Sequence, residues 1–313
     1  MKATAIGFSQ YGDIDMFETK EIDVHVNALN NVLVKVERIG LKPVDAFIRS
    51  GNMSGGKPLT RFQVLGGEVQ GEIVAFDAPV SGLAVGDKVI VRPGQGGYAT
   101  YVSTNAKNVF KIPADMSLDF AASFSATTST AYWALHGHFY DIQPGDTVAV
   151  VGASGSVGSY IVQLAQSFDV NIIGVASGKN KDFILSLGAD VFVDYNDEEA
   201  VAKYAKTADV VFDASLFNAG EDVALALAKE HATYIGMTTL PSEAKRPDVA
   251  RVFLSRTKEM TNDVAMPALF DFYETNGLQD HIAYKLPFTL DGVKEAHTLL
   301  ASSRKSGKIL LVV

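Results

Sequence analysis

The chain has 313 residues, 47% hydrophobic and 20% charged, a balance that excludes a disordered chain. Lys+Arg 27 against Asp+Glu 36 leaves a net charge of −9, which weighs against general attraction to nucleic acid or anionic lipid. The absence of Cys removes disulfides, thiolate nucleophiles and every Cys-containing zinc site. No apolar run approaches the roughly 20 residues that span a bilayer, and no signal-peptide core develops near Met1, so a cytoplasmic protein is expected.

The length suggests two domains, and the texture changes near residue 120. Before that point, short β-type runs at 31–38, 69–76, 88–92 and 98–103 are separated by Gly, Pro and Asp, as in a compact β unit or barrel. A helix rich in Ala, Thr and aromatics follows over 120–140, then the turn Gln143-Pro144-Gly145-Asp146 and an apolar strand at 147–152. Val157, Tyr160, Ile161, Leu164, Ala165 and Phe168 then form one apolar helix face. Apolar strands at 170–176, 191–194, 209–212 and 232–236 alternate with helices, which predicts a parallel sheet covered on both faces. The tail ends in an apolar strand at 308–313 that could rejoin the β unit, making the α/β domain an insertion.

The segment Val148-Ala149-Val150-Val151-Gly152-Ala153-Ser154-Gly155-Ser156-Val157-Gly158 carries the most chemistry. A strand enters a Gly-rich turn that opens into a helix, the context in which such a turn cradles a dinucleotide pyrophosphate. Gly155 lets backbone approach the phosphates, Gly158 lets the helix pack on the strand, and the helix start offers N–H groups and partial positive charge. A merely structural Gly turn is the alternative. The following strand ends in Ala176-Ser177-Gly178-Lys179-Asn180-Lys181 with no carboxylate, where NAD-binding folds commonly place an Asp or Glu for the ribose 2′-OH. Hydroxyl plus ammonium suits a 2′-phosphate, so NADPH is favoured over NADH. The lysines could equally be ordinary solvated residues at a helix start.

Taken together, Gly40-Leu41-Lys42-Pro43-Val44-Asp45, Leu65-Gly66-Gly67-Glu68-Val69, Gly86-Asp87-Lys88-Val89, Gly96-Gly97-Tyr98-Ala99, Thr130-Ala131-Tyr132, the Gly-rich loop, Leu187-Gly188-Ala189-Asp190 and Gly307-Lys308-Ile309-Leu310 resemble the zinc-independent medium-chain dehydrogenase/reductases, in the quinone oxidoreductase branch related to zeta-crystallin. The resemblance implies an α/β fold in which a doubly wound Rossmann sheet (123–264) is inserted into a GroES-like β-barrel catalytic domain (1–122 and 265–313). It further implies an active site in the cleft between them and a homodimer. Zinc enzymes of the superfamily use Cys where this chain has Lys42 and Gly-His-Glu where it has Gly66-Gly67-Glu68, so no metal is expected. His136 and His138, at i and i+2, would point to different faces of their helix.

By the same resemblance Thr130 falls beside the nicotinamide amide. Ser177 and Lys181 fall on the adenosine phosphate, and Tyr195 falls near the adenine-side ribose. Gly236 and Phe253 fall on loops by the nicotinamide half, and Lys308 on the closing strand. Gly152, Ser154, Gly155, Ser156, Val157 and Gly158 make up the phosphate loop. Lys42, Phe47 and Met53 are the candidate substrate contacts. Relatives often have Asn at Lys42 and Tyr at Phe47. Two readings of Lys42 stay open: a desolvated donor to an acceptor oxygen, or a lysine that faces solvent or pairs with Asp45. The expected activity is zinc-free hydride transfer from NADPH to a quinone or α,β-unsaturated carbonyl. A non-catalytic NADPH-binding sensor or structural protein, or an enoyl-thioester reductase, would share the same loop.

Overall fold

The computed structural model describes residues 1–302 and 307–313. In chain order the first strands are β1 (Lys2–Phe8), β2 (Glu18–Asp23) and β3 (Val32–Gly40), followed by helix α1 (Pro43–Ser50) and strands β4 (Gln63–Val64), β5 (Val69–Phe76), β6 (Lys88–Val91), β7 (Tyr101–Thr104) and β8 (Val109–Lys111). Helix α2 (Leu118–His136) leads to β9 (Thr147–Val151), α3 (Gly158–Ala165), β10 (Asn171–Ala176), α4 (Lys181–Ser186), β11 (Val191–Asp194), α5 (Glu198–Lys203), β12 (Ala208–Asp213), α6 (Glu221–Leu227), β13 (Ala228–Gly236) and β14 (Ala250–Phe253). Helix α7 (Asn262–Asn276), β15 (Ile282–Pro287), α8 (Leu290–Ala301) and β16 (Lys308–Val312) complete the described chain.

Two compact units result: 1–126 with 280–313, and 127–279. The first crossing falls inside α2. The second falls between Gln279 and Asp280 rather than at 264/265, because α7 belongs to the inserted unit.

In the discontinuous unit, β15, β16, β3, β5, β6 and β8 lie side by side, β7 also pairs with β3, and β2, β1 and β4 form a small second sheet. β16 is parallel to β15 and antiparallel to β3, with Leu310 opposite Gly40. Its core joins Val34, Val36, Ile39, Val69, Ile73 and Val89 with Val293, Ile309 and Leu311, so the tail contributes directly to the barrel interior. Helix α1 starts on Pro43, whose fixed φ suits a first helical turn, and ends at Gly51, whose φ of +82° stops it in the left-handed region.

The inserted unit is an all-parallel sheet in the order β11-β10-β9-β12-β13-β14. Its strands are apolar because helices cover both faces; Val148, Ala149, Val150 and Val151 are all buried. Chain order reverses at β9, which has β10 on one side and β12 on the other. The carboxyl ends of these two neighbours therefore flank a crevice of the kind in which doubly wound sheets bind ligands.

Three local expectations change. Helix α3 buries every one of its residues, not a single face, and its polar member Gln163 is satisfied by exchanging bonds with the Gln279 backbone (Nε2 to O, 3.2 Å; N to Oε1, 2.7 Å). Helix α2 stops at His136, because His138 takes a left-handed φ of +61°. His136 and His138 consequently border one recess of about 470 Å³ with Tyr140 and Phe168, rather than opposite helix faces.

Candidate functional site

At the crevice of the inserted unit, β9 delivers Gly152 with φ +76°, a left-handed turn that favours glycine, and Gly152 N and Ala153 N both donate to Val175 O (3.1 and 3.0 Å). A Cβ on Gly152 would stand 3.0 Å from Ser215 N, so the turn lies directly against the loop that follows β12. That loop is anchored by Asp213, a residue the sequence reading did not single out. Its buried carboxylate accepts from Ser215 N (2.8 Å) and Tyr234 Oη (2.5 Å). The available signal was an acid closing an apolar strand, Val210-Val211-Phe212-Asp213, at the sheet's carboxyl edge.

The three glycines of the loop differ in why they are glycine. A Cβ on Gly158 would lie 2.3 Å from Gly152 O, so the close seat of α3 on the turn demands its absence. Gly155 is under a weaker demand: its φ is not left-handed, and beyond its chain neighbours a Cβ there would meet only Gly152 O, at 3.1 Å, a tight contact that a shift of a few tenths of an ångström relieves. The space above Gly155 is open, and half-buried Ser154, Ser156 and Val157 surround it at the start of α3. This cradle fits a diphosphate, which needs close backbone approach and the positive end of a helix.

The end of β10 departs from expectation. Ser177 and the exposed Lys179 and Lys181 stand there, with Asn180 Nδ2 donating to Ser177 Oγ (2.9 Å). A carboxylate stands there too. Asp194 ends β11 in register with Ala176, and its Oδ2 would lie 2.5 Å from a Cβ on Gly178. The absence of an acid along 176–181 is therefore not its absence in space; parallel pairing brings one in from the next strand.

The other expected cofactor contacts in this unit are dispersed. Thr130 is half-buried in α2, Tyr195 follows β11 at 50% exposure, and Gly236 and Phe253 end β13 and β14 in register with each other. A Cβ on Gly236 would clash with Thr239 O at 2.2 Å, so that glycine has a packing reason of its own.

In the barrel unit, α1, the segment before β5 and β16 gather Lys42, Asp45, Glu68 and Lys308. Glu68 is fully buried; its Oε1 accepts from Ser125 Oγ and Ala126 N, both at 2.6 Å, while Oε2 has no hydrogen-bond partner. Asp45 is 2% exposed and caps α1 by accepting from Lys42 N (2.9 Å). Burial pushes its pKa up to about 6, against the opposing pull of Lys42. Lys308, 5% exposed, has its pKa lowered by burial, with Glu68 acting in the opposite direction.

Lys42 is half-buried, and its Nζ would lie 2.7 Å from a Cβ on Gly67. Its contact with Asp45 runs through the backbone, and the ammonium lies over the residue where the zinc enzymes carry His. Phe47 is half-buried on α1, and Met53 is 62% exposed beyond it. Among the described residues no three His, Cys, Asp or Glu side chains converge as metal ligands, and no helix is long and apolar enough to cross a membrane.

A doubly wound parallel sheet with a glycine-rich loop after its first strand, inserted in the sequence of a β unit, belongs to the α/β class that binds dinucleotides at that loop. Residues 28–114 match the alcohol dehydrogenase GroES-like domain family, and 187–311 match the zinc-binding dehydrogenase family. The chain is 30% identical to a quinone oxidoreductase of Homo sapiens, across 99% of this chain and 97% of that one. It is 29% identical to a 2-methylene-furan-3-one reductase of Solanum lycopersicum, across 98% and 78% of the two chains. A solved NAD-dependent alcohol dehydrogenase shares the fold, with TM-score 0.85 at 23% identity over 99% of each chain. The chain belongs to the medium-chain dehydrogenase/reductase superfamily, in its quinone oxidoreductase branch.

Proposed function

We propose that this protein is an NADPH-dependent reductase that delivers hydride to a quinone or an α,β-unsaturated carbonyl without a metal. The observation that carries the reading is Gly155, a glycine on which the fold makes a much weaker demand than on Gly158 and which a diphosphate requires. The human relative is named for quinones and the tomato relative for a methylene-furanone, which supports an acceptor that is already electrophilic.

In this reading the nicotinamide cofactor supplies the hydride. Gly152, Ser154, Gly155, Ser156, Val157 and Gly158 hold its diphosphate, and Ser177 with Lys181 receive the 2′-phosphate. Thr130, Tyr195, Gly236, Phe253 and Lys308 are the remaining proposed cofactor contacts. In the barrel unit, Lys42 presents an ammonium to the acceptor oxygen, where negative charge grows during reduction, and Phe47 and Met53 offer apolar surface. Lys42 and Gly67 stand where zinc ligands would be needed, so the electrophilic part falls to a side chain.

Steady oxidation of NADPH in the presence of a simple quinone or enone tests the reading, and the rate is expected to survive exhaustive chelation. NADPH binding with no turnover across a panel of such acceptors would make the chain a binder rather than an enzyme. Stoichiometric zinc in the protein by elemental analysis, with activity lost on its removal, would overturn the metal-free mechanism.

Cofactor choice is a separate expectation. Titration should show NADPH binding at least about tenfold more tightly than NADH, or about 1.4 kcal/mol. Equal affinities would refute the assignment of Ser177 and Lys181.

A further inference from the structure

We infer that Asp194 is the residue that limits discrimination between the phosphorylated and unphosphorylated nucleotide, acting from a neighbouring strand. The inference rests on the proposed use of NADPH. In a doubly wound sheet the diphosphate lies at the first strand's loop and the adenosine ribose over the end of the second. Here these are the turn after β9 and the Ser177–Gly178 corner after β10.

Asp194 is fixed at that corner by more than proximity. The strands pair in parallel with Ala176 opposite Asp194, and Tyr195 N donates to Ala176 O (3.2 Å), which ties the two strand ends together. The carboxylate is oriented by the turn it caps, with Oδ1 accepting from Asn196 N and Asn196 Nδ2, both at 2.9 Å. Oδ2 is thereby directed onto Gly178, where any larger residue would have to displace it.

The corner therefore holds opposed preferences. Ser177, Lys179 and Lys181 favour a 2′-phosphate, and a fixed negative charge beside Gly178 opposes it while accepting a hydrogen bond from a 2′-hydroxyl. Removing that charge while keeping an acceptor oxygen should strengthen NADPH binding and leave NADH binding nearly unchanged. An acid within the 176–181 segment would be expected to abolish NADPH binding; one on the adjacent strand only moderates it.

The test is Asp194→Asn, which keeps an oxygen for the Asn196 bonds, with Asp194→Ser as a second variant should the first fail to fold. Dissociation constants for NADPH and NADH, and for 2′-AMP against 5′-AMP, would be measured at low and high salt. The expected result is about tenfold tighter NADPH and 2′-AMP binding, less than about twofold change for NADH and 5′-AMP, and a smaller gain at high salt. An unchanged NADPH-to-NADH ratio, or an equal shift in both, overturns the inference. Failure of the underlying reading looks different: the unmodified protein would then bind neither NADPH nor 2′-AMP.

Discussion

Gly155→Val is expected to melt like the unmodified protein in the absence of cofactor and to lose the stabilisation that NADPH brings. Beyond its chain neighbours a Cβ there meets one atom, Gly152 O at 3.1 Å, a contact that a shift of a few tenths of an ångström relieves, while β9 and α3 keep their own contacts. The valine side chain occupies the volume a diphosphate needs, so NADPH affinity should fall at least about a hundredfold, or about 2.8 kcal/mol. At an NADPH concentration about a hundred times the unmodified Kd, linkage stabilises the unmodified protein by about 2.7 kcal/mol and such a variant by about 0.4 kcal/mol. Thermal melting with and without NADPH separates the two effects. A variant that retains the full shift would make Gly155 a packing turn and place the nucleotide elsewhere. Gly158→Val is the contrasting control, because its Cβ would lie 2.3 Å from Gly152 O and should damage the fold itself.

The other large effect belongs to Glu68. Replacing it with Leu would strip the acceptor from Ser125 Oγ and Ala126 N and leave the ammonium of Lys308 buried without its main opposing charge. Leaving a buried donor without its charged acceptor costs about 1–3 kcal/mol. Urea unfolding should show this loss in the barrel unit, whereas Glu68→Gln, which retains the acceptor oxygen for both donors, should cost less. Equal stability of Glu68→Leu and the unmodified protein would mean that neither the buried acceptor nor the charge matters.

Much of the architecture is legible in residue order because its signals are local. The runs 69–76 and 191–194 coincide with β5 and β11, and the loop from Gly152 to Gly158 occupies its expected place after an apolar strand. Periodicity fails where burial does not follow one face. Helix α3 is covered all round, so its apolar stripe understates its environment, and Gln163 is buried only because the Gln279 backbone meets it.

The site residues that escaped are those whose partners lie far along the chain. Asp194 reaches Gly178 through strand pairing, and Asp213 matters through its hold on Ser215. Lys42 and Lys308 stand out in the sequence, but their convergence with Glu68 does not, because the three come from separate segments of the barrel unit. The inserted unit runs on to Gln279, past 264, because it includes α7, and nothing in the composition of α7 shows which unit receives it.

The pairing of β16 between β15 and β3 has a consequence for the order of events during synthesis. The inserted unit is an uninterrupted stretch, 127–279, and every strand of its sheet has left the ribosome before β15 is made. The surrounding unit has no such independence. Strand β3, held along 32–35 by β7, keeps its carboxyl end at 38–40 unpaired on one edge until Leu310 arrives opposite Gly40, and that short edge exposes backbone donors and acceptors in the interval. A chain truncated just short of Lys308 should thus carry a protease-resistant inserted unit and a labile, chaperone-accessible β unit, and restoring β16 should make the β unit resistant as well.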